Sequence, residues 1–340
     1  MSLKQISTIV VILCTFFTCA NVFAGDASEV NYVPEIHGTL RAKYELEPEY
    51  MENRFQVRNA RLEVVGNIAP IISYKFNADF CDRGKFKMLD AYAAANLGHG
   101  FKVQLGQMRM PFSVDATRAP HIRYFANRSF IGKQVGNVRG VGGKLVYNFK
   151  NIPLNIEAGV FNSEGISDHQ TWRRSMDYSG KINYKVDNVK FEVGIESIEP
   201  DSVRMHLYDA SVTWASGRWL VEGEYIYKYY TNDAFEACHA YNFMANYFMP
   251  VKMGVFNQLS FHGRFDGMTD HSSGERNSAG FLEIDDNARN RVTIGATLSY
   301  ILPNVKTDFR VNYENYFYRD GIVAPAGDRD KILVELVVRF

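Results

Sequence analysis

About sixteen stretches of this chain alternate apolar and polar side chains with a period of two, each over roughly ten residues. Residues 331–340 show it most cleanly. Ile332, Val334, Leu336, Val338 and Phe340 fall on one face of a strand, and Lys331, Glu335 and Arg339 on the other. Near the other end, Ile36, Leu40, Ala42 and Tyr44 oppose His37, Thr39, Arg41, Lys43 and Glu45. Ala60, Leu62, Val64 and Ile68 then oppose Asn59, Arg61 and Glu63, and Ile72, Tyr74, Phe76, Ala78 and Phe80 oppose Ser73, Lys75, Asn77 and Asp79. Further strands are predicted at 87–97, 101–107, 141–149, 153–161, 177–186, 189–197, 206–214, 219–230, 238–247, 257–265, 291–300 and 305–317. The connections alternate in length. Ala69-Pro70, Gly98-His99-Gly100, Lys150-Asn151, Asp187-Asn188, Ala215-Ser216-Gly217 and Pro303-Asn304 form tight turns. Between them lie longer, charged segments at 47–54, 81–86, 108–140, 162–176, 198–205, 266–290 and 318–330. The segment 248–256 is the exception, being long where a tight turn belongs.

A sheet with one greasy and one charged face either stacks on another sheet or closes on itself. Aromatic positions separate the two. Tyr44, Phe80, Trp214, Trp219, Tyr247, Tyr300 and Phe317 sit near strand ends on the apolar face, where two water–lipid boundaries put them. In lipid every backbone polar group must be paired, so the sheet closes. The expected fold is therefore all-β: a transmembrane antiparallel up-and-down β-barrel of about sixteen strands, in the outer membrane of a Gram-negative bacterium.

Two features of the chain agree. Lys4, the apolar run from Ile6 to Phe17, and Val22-Phe23-Ala24 read as a secretory signal peptide over 1–24, which leaves 25–340 as a single barrel domain. Hydrophobic residues make up 46% and aromatic residues 14% of the chain, yet no second apolar run is long enough for a membrane helix. Thirty-eight basic residues balance 38 acidic ones, so bulk charge draws the chain to no nucleic acid. Cys14 and Cys19 fall in the leader; Cys81 and Cys238 lie far apart around the barrel and are expected as free thiols.

A barrel of this size encloses water rather than packed side chains. Its narrowing must come from a loop, and the third long connection, 108–140, is expected to fold inward. From Arg118 in this connection to Lys144 just beyond it stand Arg118, Arg123, Arg128, Lys133, Arg139 and Lys144 and no carboxylate. In a narrow throat such charge draws anions; on the outside it would face lipopolysaccharide phosphates. Arg41, Lys43, Arg61 and Lys75 extend the inward basic set, while Lys102, Lys181, Lys185, Lys190 and Arg310 are interleaved with Glu45, Glu63, Asp79, Asp90, Glu157, Glu192, Glu222, Glu224, Asp308 and Glu335. Opposed rows of charge would orient dipolar solutes without strong ion preference.

Gly106-Gln-Met-Arg-Met-Pro-Phe-Ser113, Asn127-Arg-Ser129, Gly140-Val141 and Asn53-Arg-Phe-Gln-Val-Arg-Asn-Ala-Arg-Leu-Glu63 followed by Ser73-Tyr-Lys-Phe76 resemble the phosphate-selective porin O and P family, from about residue 36 to the C-terminus. The resemblance implies a sixteen-stranded homotrimeric porin that passes small anions such as phosphate, or other small hydrophilic solutes, past Arg128 and the neighbouring loop cations. It implies contact with outer-membrane lipid and lipopolysaccharide and no cofactor.

Two other readings remain open. A channel specific for sugars or peptides would show lumen aromatics, with Tyr92, Tyr208 and Tyr316 as candidates. An outer-membrane hydrolase would need a nucleophile beside a base. His121, His169, His206, His239 and His271 are scattered, and only Ser260 and His262 share a predicted inward face. Asp266, Asp270, His271, Glu275 and the acids of 283–286 form an acidic outer loop, read as solvated rather than as a metal site.

Overall fold

The computed structural model describes residues 30–340 apart from 83, 137–138, 163–171, 173 and 202, so the leader lies outside the described residues. Sixteen strands follow in order: β1 (Glu35–Glu47), β2 (Glu52–Ala69), β3 (Ile72–Asp82), β4 (Lys85–Gly98), β5 (Phe101–Arg109), β6 (Arg139–Asn148), β7 (Leu154–Phe161), β8 (Asp177–Val186), β9 (Val189–Ile198), β10 (Met205–Ser216), β11 (Trp219–Tyr230), β12 (Cys238–Met253), β13 (Phe256–Met268), β14 (Arg289–Ile301), β15 (Lys306–Tyr318) and β16 (Lys331–Arg339). Each pairs antiparallel with its neighbours, and β1 pairs with β16, so the sheet has no free edge. Backbone hydrogen bonds between Gly38 and Phe340 (2.8 and 3.2 Å) complete this seam.

The alternation predicts which side chains face in. On β1, Thr39, Arg41, Lys43 and Glu45 are buried while Ile36 and Leu40 are exposed. On β16, Lys331, Leu333, Glu335 and Val337 are buried while Ile332 and Leu336 point out. The outward face is greasy, and aromatics gather at its two rims. Trp219 and Tyr247 lie tilted with ring centres 4.8 Å apart beside a short turn, and Tyr44 and Phe55 likewise at 4.9 Å beside an outer loop.

Two boundaries differ from expectation. Residues 248–256 are not a long turn: β12 runs to Met253 and β13 starts at Phe256. Pro250 reads as a breaker in the sequence, but it sits opposite Gln258 beside a register shift near the strand end, where a missing N–H is tolerated. The reversal falls at 254–255, where Gly254 takes φ 60°. Conversely, 81–86 is not a loop but the tip of a hairpin, with Asp82 opposite Lys85.

The hydrophobic core lies inside the barrel. Met108, Met110, Phe112, Phe130, Ile131 and Val135, from β5 and the connection that follows it, pack on Phe161, Met205, Leu207, Ile226, Ala240 and Met268 of the inner wall. Burying each large side chain contributes about 1.5–3 kcal/mol, enough to hold a long connection inside the barrel.

Candidate functional site

Residues 110–136 leave β5 and cross the barrel interior. The first limb docks on β8 and β11. Ser179 Oγ donates to the Pro111 carbonyl at 2.7 Å. A single helical turn, α1 (Val114–Thr117), follows, capped by Ser113, whose side chain accepts from Ala116 N. Glu224 of β11 accepts from Ser113 Oγ (2.6 Å), Val114 N (2.7 Å) and Asp115 N (3.1 Å). Three donors thus converge on one buried carboxylate.

The second limb docks on β13 to β15. Arg264 Nη1 donates to the Asn127 carbonyl at 3.0 Å and Arg291 Nη2 to the Arg128 carbonyl at 2.7 Å. Asn312 Oδ1 accepts from Ala126 N at 2.8 Å, and Asp266 Oδ2 from Phe130 N at 3.0 Å. The same guanidiniums lie 4.5 Å from the ring centres of Phe125 and Phe130. The loop therefore covers the β8–β15 side of the interior, including the acidic residues Glu222 and Glu224.

Space remains along β1 to β6, as two cavities in series. The outer one, about 270 Å³, is lined by Arg41, Lys43, Arg54, Arg58, Arg123, Arg128, Lys133 and Arg291 against only Glu45 and Asp328 among charged residues. The inner one, about 240 Å³, is lined by Arg61, Lys75, Arg109, Arg139, Lys144 and Arg339 against Glu63 and Asp90. Both cavities are thus lined mainly by cations, whereas a further cavity of about 520 Å³ at the mouth sets Glu45, Glu47 and Glu52 against Arg54 and Lys331.

Many of these cations are matched by carboxylates. Lys43 pairs with Glu45 (2.6 Å), Arg61 with Asp79 (2.8 Å), Lys75 with Glu63 (2.8 Å), Arg139 with Asp90 (3.0 Å) and Lys144 with Glu157 (2.8 Å). Lys133 lies 3.5 Å from Asp328. Arg339 has no carboxylate ion pair among the described residues, and three further arginines meet backbone instead. Arg109 donates to the Ala116 carbonyl, Arg123 to the Arg118 carbonyl at 3.4 Å and Arg128 to the Gly132 carbonyl at 2.8 Å. Among the described residues these three make no carboxylate ion pair. Burial, Arg128 and Arg41 push Arg123 well below the ordinary arginine value. Burial pulls Arg128 down to about 9; Asp115 opposes the shift, and Arg61, Arg139 and Arg58 reinforce it. Both shifts mark positive charge left uncompensated.

Of the ten cations singled out in the sequence, nine line the two cavities; Arg118 lines neither. It bridges Asp115 (2.9 Å) and Glu222 (2.5 Å), which together outweigh burial and raise it above the usual arginine value. The expected opposed rows of charge are not what the interior presents. Acids and cations on β1 to β7 pair with one another, and Glu222 and Glu224 on β11 are engaged by the loop.

Arg54, Arg58, Arg109 and Arg291 are not among the cations that the sequence assigns to the passage, and Arg339, on the polar face of β16, lines it as well. For Arg54 and Arg58 a signal existed. Phe55 and Val57 are apolar at odd positions and Ala60 and Leu62 at even ones, so the phase reverses between them. A bulge opposite Arg41 and Ala42 lies there, and it turns Arg58 inward next to Asn59.

Tyr92 lines the inner cavity and Tyr316 is held inside by Glu314 and Arg291. Tyr208 points outward, stacked on Tyr227, because it shares its face with Val212 and Trp214. Ser260 Oγ donates to the Thr297 carbonyl, while His262 Nε2 lies 2.7 Å from Asn312 Nδ2, so the two do not form a nucleophile–base pair. Asp266 is a lumen residue bound by Arg291 at 2.7 Å rather than part of the outer acidic loop. Cys81 and Cys238 are free thiols.

A closed sixteen-stranded sheet, greasy outside and crossed by an inward loop, is the architecture of an outer-membrane channel. Residues 36–181 match the family described as phosphate-selective porin O and P, which bears out the resemblance over β1 to β7, the inward loop and the start of β8. Comparison with curated proteins finds no match. Among solved structures, the fold is similar to the anion-selective porin from Comamonas acidovorans (12% identity, TM-score 0.61, covering 90% of this chain and 98% of that one). It is also similar to the outer membrane channel DcaP of Acinetobacter baumannii (11%, TM-score 0.60, 94% and 99%). A third is in-vitro folded OmpT, an outer membrane protein of Vibrio cholerae in its trimer form (10%, TM-score 0.58, 91% and 98%). The protein is a channel of the Gram-negative outer membrane, and family and fold point away from an enzyme.

Proposed function

We propose that small hydrophilic solutes diffuse passively through this barrel and that anions, phosphate among them, are favoured by the passage along β1 to β6. The observation that carries this reading is the trio Arg109, Arg123 and Arg128, whose guanidiniums meet backbone carbonyls and no carboxylate among the described residues. An arriving oxyanion supplies the missing countercharge, and the planar guanidinium fork suits it. Arg41, Lys43, Arg61, Lys75, Lys133, Arg139 and Lys144 would flank it along the two cavities. The test is the reversal potential of purified protein in a planar bilayer under a KCl gradient. Chloride preference is expected; potassium preference would overturn the reading.

The anion-selective porin from Comamonas acidovorans shares the fold and supports the same preference. OmpT in its trimer form supports a homotrimer, packed through part of the apolar outer face and bordered by lipid and lipopolysaccharide. We read the channel as non-catalytic. Residues 1–24 are assigned as the leader, so the protein extracted from outer membranes should begin at Gly25 when its N-terminus is sequenced; an N-terminus at Met1 would refute the leader.

A further inference from the structure

Asp115 is the one carboxylate between Arg109 and Lys144 in the sequence, in a loop that otherwise carries only positive charge. It is 5% exposed and makes two contacts that join the limbs of the loop. Its Oδ1 accepts from Arg118 Nη1 at 2.9 Å, within the first limb. Its Oδ2 accepts from Ser129 Oγ at 2.6 Å, in the second. Ser129 Oγ in turn accepts from Gly132 N at 3.1 Å. A Cβ on Gly132 would fall 2.3 Å from Asp115 Oδ2, so the limbs meet with no room for a side chain.

The two carbonyls that aim the unpaired arginines belong to this junction. Arg123 donates to the carbonyl of Arg118, and Arg128 to that of Gly132. Arg118 is clamped directly on Asp115, and Gly132 through Ser129. We propose that Asp115 is a positioning residue for ion preference: by tying the limbs together it fixes where Arg123 and Arg128 present their charge. This rests on the anion-favouring reading above and adds which residue sets it.

The junction is fully ionic at neutral pH. Burial alone raises the Asp115 carboxyl, but Arg118, Ser129, Arg123 and Arg264 outweigh it and bring it from 3.8 down to about 2. Glu224 and Glu222 face it from β11, the first on its backbone N–H and the second through Arg118. A lowered carboxylate stabilises the fold above its ordinary value, and that stabilisation is lost as pH falls through the folded one. The Asp115 junction should therefore stay ionised from pH 7 to about pH 4 and come apart only nearer pH 2.

The sign of one substitution separates positioning from simple charge. Asp115→Asn removes a negative charge from a basic throat, so charge alone predicts stronger anion preference. Positioning predicts the reverse. Chloride-over-potassium permeability, from reversal potentials of the full-length protein in planar bilayers, is expected to fall about threefold in Asp115→Asn. It should fall about twofold in Ser129→Ala, which keeps the carboxylate and loses the hydrogen bonds to Asp115 Oδ2 and from Gly132 N. Ser129→Ala also decides the matter if Asp115→Asn does not insert. A ratio unchanged or raised in the variants overturns the proposal while wild-type chloride preference stands. A wild-type channel without that preference sinks the underlying reading instead.

Discussion

Replacing Arg123 and Arg128 together by Ala is expected to remove most of the channel's chloride preference. Neither guanidinium makes a carboxylate ion pair among the described residues, and both line the outer cavity. At ~8 Å and an effective dielectric of about 40, one charge is worth about 1 kcal/mol to a passing ion. Two therefore change anion partition by roughly thirtyfold before screening, and by roughly tenfold in ~0.1 M salt. The loop should stay docked, because its attachments at Glu224, Asp266 and Asn312 use backbone N–H groups that substitution leaves in place. A reversal potential equal to wild type in the double variant would show that the flanking cations, not these two, set the preference.

The second large effect concerns the barrel rather than the passage. Glu335 on β16 is fully buried and accepts from Arg41 Nε on β1 (2.9 Å) and Arg310 Nη1 on β15 (3.1 Å). Each arginine is 1% exposed. Removing one member of a buried ionic set leaves its partners uncompensated and costs about 3–5 kcal/mol. Glu335→Ala is therefore expected to lower the temperature at which the folded band shifts in heat-modifiability gels. Glu335→Gln, which keeps an acceptor, should lower it by less. Asn59 and Asp308 also hold the two arginines, at 3.2 and 2.6 Å. If they suffice, the transition of Glu335→Ala will match wild type and the assignment of Glu335 as keystone fails.

Strands were legible because a period of two is local. Leu40 beside Arg41 announces both faces of β1 without knowledge of any neighbour, and closure follows from the needs of backbone in lipid. Local rules fail where the pattern is interrupted. Residues 248–256 look like a long turn yet are strand on both sides of 254–255, and the phase break after Val57 puts Arg54 and Arg58 on the inner face. The site was legible as charge but not as pairing. Nothing near Arg118 in the chain tells that it meets Glu222, more than a hundred residues away. That contact, and those of Arg264 and Arg291 with the loop, exist only once the ends of the sheet meet.

The apolar patch between the loop and the inner wall gives the barrel two unlike halves. Leu207 and Ile226 point toward the axis, as pore-lining groups would, yet neither is solvent-exposed. They behave as the interior of a water-soluble domain, walled in by its own membrane span. Inward-facing substitutions should therefore obey two grammars. On β1 to β6 they retune flow; on β10 and β11 they loosen a hinge-free shutter, and the same polar replacement that is mild on one side should set the current flickering on the other.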